Sequence, residues 1–171
     1  MVERIAEYQE KMERYGWNME VPFSRESDTA KVYAIRHGLS LFNAKAAEVE
    51  AEFTKNSPEF QAVQLDTGLI DPDLHPVGVV QAEVNSPKID AMNVKYVLVS
   101  PMQRAMQTCI HMFKSHPNLN NIRFFVEPHV HEIMHTMNDI CMDADELVQK
   151  YAPGQEICCG VNFDFSRLSV N

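Results

Sequence analysis

The amino-acid sequence predicts an α/β fold in which a largely parallel sheet is flanked by helices. Three observations carry that expectation. Short β-rich apolar runs occur at residues 31–36 (KVYAIR), 94–99 (VKYVLV) and 122–126 (IRFFV). Segments with helix-start signals stand between them, so strands and helices alternate. The second run is continuously apolar, as in strands covered on both faces of a parallel sheet.

The elements follow in order. Ile5, Tyr8, Met12 and Tyr15 recur at helical spacing, and Gly16 is a natural stop, so residues 2–15 read as a short amphipathic helix. Residues 17–29 are polar, contain Pro22 and read as a linker. The expected division is therefore 1–30, an N-terminal helix and linker, and 31–171, the main domain. Strand 31–36 ends abruptly at His37-Gly38, and Ser40 caps a helix to about residue 53. Residues 54–75, with Pro58, Gly68 and Pro72, are expected to be irregular. Pro76 suits the first position of a helix, PVGVVQAEV. Ser100-Pro101 opens another, to about Lys114. The last helix spans 143–151, with Asp143, Asp145 and Glu146 favouring its N-terminal dipole and Pro153-Gly154 stopping it. The tail, 155–171, has no clear period, although Val161, Phe163 and Phe165 alternate in strand fashion.

Composition narrows the function classes. The chain has 171 residues, 45% apolar and 23% charged, as in an ordinary globular domain. Its net charge of -9 repels nucleic acid and acidic membrane surfaces, so neither is an expected partner. A few arginines gathered in one pocket still outweigh a distant acidic surface. No apolar run approaches the ~20 residues that span a bilayer. The charged N-terminus has no apolar core of a secretory signal. Cys109, Cys141, Cys158 and Cys159 form no C-x-x-C pair, so reduced thiols and a cytoplasmic location are expected.

Chemistry-bearing residues cluster where strands end, which is where ligands gather in such sheets. Arg36-His37-Gly38 follows the first strand. Gly38 allows a sharp turn and a close approach of ligand to backbone. The next helix points N–H groups at the same place, which favours an anion, and Asn43 lies one turn into it. A neutral imidazole whose other nitrogen is held is a capable nucleophile toward phosphorus. Arg104 stands one turn into the helix after the second strand and suits a guanidinium fork on a phosphoryl group. The bland alternatives are a structural Arg-His pair and a solvent-facing helix arginine. His131 and Glu132 come soon after the third strand. His129, His131 and His135 lie close in sequence, but no further ligand stands out and Pro128 argues for a loop, so no metal site is expected. His111 and His116 read as surface residues at a helix end. The ten methionines scatter and read as core filling.

These segments resemble the histidine phosphatase superfamily, also called phosphoglycerate mutase-like. R-H-G-x-S-x-x-N stands at Arg36 to Asn43. D-P-x-L-x-x-x-G-x-x-Q-A stands at Asp71 to Ala82, with His75 where most members have threonine. S-P-x-x-R-A-x-x-T stands at Ser100 to Thr108, and V-x-P-x-x-x-E at Val126 to Glu132. The resemblance implies that His37 attacks phosphorus, that Arg36, Asn43 and Arg104 bind the phosphoryl oxygens, and that Glu132 protonates the leaving alcohol. It implies no metal and no other cofactor, and a substrate that is a phosphorylated small molecule or a phosphoprotein. The family's second active-site histidine, on a later and central strand, has no counterpart here. The sequence therefore reads as truncated before that strand, with a gap in the sheet between the strands at 31–36 and 94–99. The alternating tail, 155–171, is a candidate to fill it.

The expected function is phosphomonoester hydrolysis through phosphohistidine at His37. Residues 44–70 hold no tryptophan where mutases carry a Gly-Trp, which favours phosphatase over mutase chemistry. The missing histidine feeds the alternative of a catalytically inactive phosphate-binding or interaction protein. Oligomeric state is not legible.

Overall fold

A computed structural model describes residues 31–168 together with Lys11 and Arg14. The expected helix 2–15 and linker 17–29 otherwise lie outside the described residues, and Lys11 and Arg14 are both helical. In chain order the regular elements are α1 (Leu41–Glu52), α2 (Pro58–Gln64), α3 (Pro76–Asp90), β1 (Tyr96–Val99), α4 (Gln103–Phe113), β2 (Arg123–Val126), α5 (Ala144–Lys150) and β3 (Phe163–Asp164). The strands form one parallel sheet in the order β1-β2-β3. Val97 pairs with Phe124, and Phe124 in turn with Phe163. This is the α/β, parallel-sheet class that the sequence predicts, consistent with a phosphoglycerate mutase-like fold.

Apolar burial joins the elements. Met106, Ile110 and Phe113 from α4 pack with Phe124, Val126 and Phe163 from the sheet and with Leu147 and Tyr151 from the α5 region. Phe124 meets Phe113 edge-on at 5.3 Å and Phe163 at 6.1 Å between ring centroids. Each such side chain contributes about 1.5–3 kcal/mol when fully buried. A smaller cluster of Phe42, Ala46, Phe60 and Val63 joins α1 to α2.

Four expectations are corrected. Residues 31–36 form no strand, and Val32 is 94% exposed. Strand propensity expresses fit to a half-buried pleated surface, and no neighbouring strand provides one among the described residues. The tail does supply a strand, but β3 adds beside β2, and the outer edge of β1 has no strand beside it among the described residues. Residues 54–75 are not wholly irregular: Ser57 caps α2, with Pro58 at its first position. His116 is buried, stacks near Phe113 and bonds the Met92 carbonyl at 3.1 Å, while His111 is half-buried beside Glu83.

Helix α3 runs to Asp90, past Pro87. Proline there removes only one late N–H donor, and the helix ends within a turn. At its start, His75 Nδ1 accepts from the Val77 N–H at 3.2 Å. The residue that departs from the family pattern thus serves as the helix cap.

Candidate active site

The segment 37–41 is fixed from its far side, although residues 31–36 are not in a sheet. Gly38 and Gly78 bring its backbone against the first turn of α3. A Cβ on Gly38 would stand 2.6 Å from the Gly78 carbonyl oxygen, and one on Gly78 only 2.1 Å from the Leu39 oxygen. Gly38 N–H donates to Thr108 Oγ1 at 3.0 Å, and Thr108 donates to the Arg104 carbonyl at 2.7 Å. Leu39 N–H donates to Gln81 Oε1 at 2.9 Å, and the Leu39 oxygen accepts from His75 N–H at 2.9 Å. The loop is therefore tied to both α3 and α4.

Ser40 caps α1, accepting from Asn43 N–H at 3.1 Å and donating to Asn43 Oδ1 at 2.8 Å. That pair fixes the Asn43 side chain by its oxygen. Its amide nitrogen makes no hydrogen bond among the described residues.

His37 is half-buried, with Nδ1 2.7 Å from the Gly38 carbonyl oxygen. A carbonyl only accepts, so Nδ1 carries the proton and Nε2 keeps a free lone pair. Burial lowers the imidazole pKa from 6.5 to about 4. The Gly38 bond opposes that shift, the charges of Arg104 and Arg36 add to it, and Glu132 opposes it. The ring is thus neutral at pH 7, and charges from three expected site residues converge on it.

Those three differ in setting. Arg104 is 3% exposed, so it is no solvent-facing helix arginine. Its Nη1 donates to the Asn138 carbonyl at 2.7 Å and its Nη2 to Asp139 Oδ1 at 3.3 Å. Arg36 and Glu132 are exposed, and their side chains make no hydrogen bond or ion pair among the described residues. Glu132 lies in the irregular stretch that follows β2.

Sequence reasoning missed two supporting acids. Asp71 is fully buried at a positive φ of 39°. Its carboxylate accepts from the Gln103 N–H at 2.8 Å and the Met142 N–H at 3.0 Å. Met102, at the cap position of α4, offers no side-chain acceptor, so Asp71 caps that helix from a distant segment. Burial raises the Asp71 pKa, and these two bonds oppose the rise. The other acid is Asp139, closed into a capping box with Thr136. The Thr-x-x-Asp spacing was the one signal available for it.

His129 bonds Glu127 at 2.7 Å, and that bond, followed by one from Arg167, lowers the Glu127 pKa to about 2. His131 bonds the Glu132 carbonyl at 2.7 Å, and His135 is exposed. Among the described residues no group of three or more His, Cys, Asp and Glu side chains is placed to hold a metal ion. All four cysteines are free, and no helix among the described residues is long and apolar enough to cross a membrane.

Comparison with known sequences gives one match. The sequence model for the histidine phosphatase superfamily (branch 1) matches residues 32–136, more than half of the chain. No curated protein and no solved structure matches.

Proposed function

Because this chain belongs to the histidine phosphatase superfamily, which covers phosphatases and mutases, we propose that it hydrolyses phosphomonoesters through a phosphohistidine at His37. Nε2 attacks phosphorus, the bond from phosphorus to the ester oxygen breaks, and Glu132 gives its proton to that oxygen. Water then attacks the phosphohistidine, the P–N bond breaks, Glu132 takes a proton from the water, and the neutral imidazole returns. Arg36, Arg104 and the Asn43 amide bind the equatorial oxygens, where in-line transfer spreads negative charge. The reading includes a phosphorylated small molecule or phosphoprotein as substrate, no nucleic-acid or membrane partner, no cofactor, and a cytoplasmic location. Hydrolysis is favoured over mutase transfer by the lack of a Gly-Trp in residues 44–70.

The observation that carries the reading is the state of His37. Its pKa of about 4 keeps the ring neutral at pH 7, and its Nδ1 is tied to Gly38. The test is turnover of nitrophenyl phosphate. The chain should release nitrophenol, and His37→Ala should abolish release while keeping the wild-type melting temperature. Turnover retained in His37→Ala overturns the reading. For Glu132, a nitrophenolate leaves with less need of a proton than an alkoxide does. Glu132→Gln should therefore slow an alkyl phosphate far more than nitrophenyl phosphate, and equal slowing removes Glu132 from the acid role.

A second reading is an inactive phosphate-binding protein. It is favoured by the exposed Glu132 carboxyl, which has no hydrogen-bond partner among the described residues to orient it. Oxyanion binding without turnover is its signature.

A further inference from the structure

We propose that Asp139 is a positioning residue: with the Asn138 carbonyl it holds the Arg104 guanidinium in the plane in which it meets an oxyanion at His37. The inference rests on the phosphate reading above. Arginine is long and rich in rotamer freedom, so an arginine held in advance loses less on meeting a ligand. Here the holding contacts fall on two different nitrogens, Nη1 to Asn138 and Nη2 to Asp139. Two contacts at two points of a planar group fix its plane as well as its distance.

Asp139 is itself held. One oxygen, Oδ2, accepts from His135 N–H and Thr136 N–H at 3.1 Å each and from the Thr136 hydroxyl at 3.2 Å. The other, Oδ1, faces Arg104. The carboxylate thus divides its oxygens between its own turn and the guanidinium. The pair is deeply buried, with side-chain exposures of 3% for Arg104 and 7% for Asp139. Removing one partner of such a pair strands the other charge. The remaining guanidinium N–H groups of Arg104 make no hydrogen bond among the described residues, and its charge is felt at His37.

A rival role gives the opposite sign. A carboxylate on the anion-binding arginine also suits a stand-in for phosphate, competing with the ligand. Removing a competitor tightens binding, whereas removing a positioning group weakens it.

The experiment is vanadate affinity in a double-mutant cycle on the full chain, with thermal unfolding of every variant. Asp139→Asn should weaken vanadate binding by roughly tenfold to a hundredfold, the scale of a hydrogen bond to a charged group. In an Arg104→Lys background the same substitution should change binding by less than about twofold, since no guanidinium remains to be aimed. Equal loss in both backgrounds means that Asp139 only supports the fold, which overturns the inference and leaves the phosphate reading standing. Tighter binding in Asp139→Asn overturns it in favour of competition. A wild-type chain that binds no vanadate brings down the phosphate reading, and the inference with it. Should Asp139→Asn not fold, Asp139→Glu carries the same cycle: it keeps the charge and moves it by one methylene, so a loss confined to the Arg104 background supports the positioning role and a loss in both overturns it.

Discussion

The placement of His37 depends on two residues with no side chain. Gly38 and Gly78 let the two backbones meet, and a methyl group on Gly78 would be driven 2.1 Å from the Leu39 oxygen. The obstacle is backbone and does not swing aside. Gly78→Ala should cost about 1–3 kcal/mol, the usual range for overpacking, and displace His37. Urea unfolding together with nitrophenyl phosphate turnover checks both effects. Protonation gives a second prediction. The folded pKa of His37, about 4, lies below its ordinary 6.5. Below 6.5 the unfolded chain takes up a proton that the folded chain resists, so stability is full above that pH and falls as pH drops toward 4. Burial lowers the His75 pKa as well, so it acts in the same direction. His37→Asn should flatten the stability profile between pH 6.5 and 4, measured by urea unfolding. The motif residues stand out in the sequence because their types and spacings are fixed, although residues 31–36, ahead of His37, form no strand. The roles of Asp71 and Asp139 do not, because their partners, Gln103 and Arg104, lie more than thirty residues away.

At the scale of elements, helices announced themselves and the first strand misled. Ser40 with α1, Pro76 with α3, and Asp143 with α5 are local signals, complete within a few residues. The Ser-Pro start expected at Ser100-Pro101 is realised instead at Ser57-Pro58, where Ser57 caps the unexpected α2, whereas α4 begins at Gln103 behind Met102. A strand is different, since its hydrogen bonds belong to a neighbour. KVYAIR has the composition of a strand and no neighbour among the described residues, whereas β1 and β2 pair over four residues. His75 tests the local account. His75→Ala removes the acceptor for Val77 N–H and should cost about 1 kcal/mol, while His75→Thr keeps an acceptor and should cost less. Thermal unfolding of both variants above pH 7 makes the comparison, and equal losses would count against the cap.

At the scale of the whole molecule, one edge of the sheet is uncovered among the described residues. The strand next to β1 is β2, and its other side has no strand among the described residues. Tyr96 is 64% and Leu98 55% exposed on the same strand. The sequence predicts a gap between strands at 31–36 and 94–99, but residues 31–36 form no strand, so β1 has no such partner on that side among the described residues. Where the tail strand goes was not legible, because alternation shows that Phe163 pairs with something and not with what. An open edge with apolar side chains invites association. The chain should therefore self-associate as its concentration rises, and Leu98→Lys should reduce that association, as read by sedimentation velocity. A monomer at all concentrations would show that the edge is protected.

The claim on which the rest depends is that His37 takes the phosphoryl group on Nε2. Mixing the chain with a phosphomonoester, quenching in denaturant at alkaline pH and mapping the acid-labile phosphate by fragmentation and phosphorus NMR tests it directly. One labelled residue is expected, His37, carrying phosphorus on Nε2, because Nδ1 is engaged by the Gly38 carbonyl. Phosphate on Nδ1, on a different residue, or on none while the ester is being hydrolysed would contradict it.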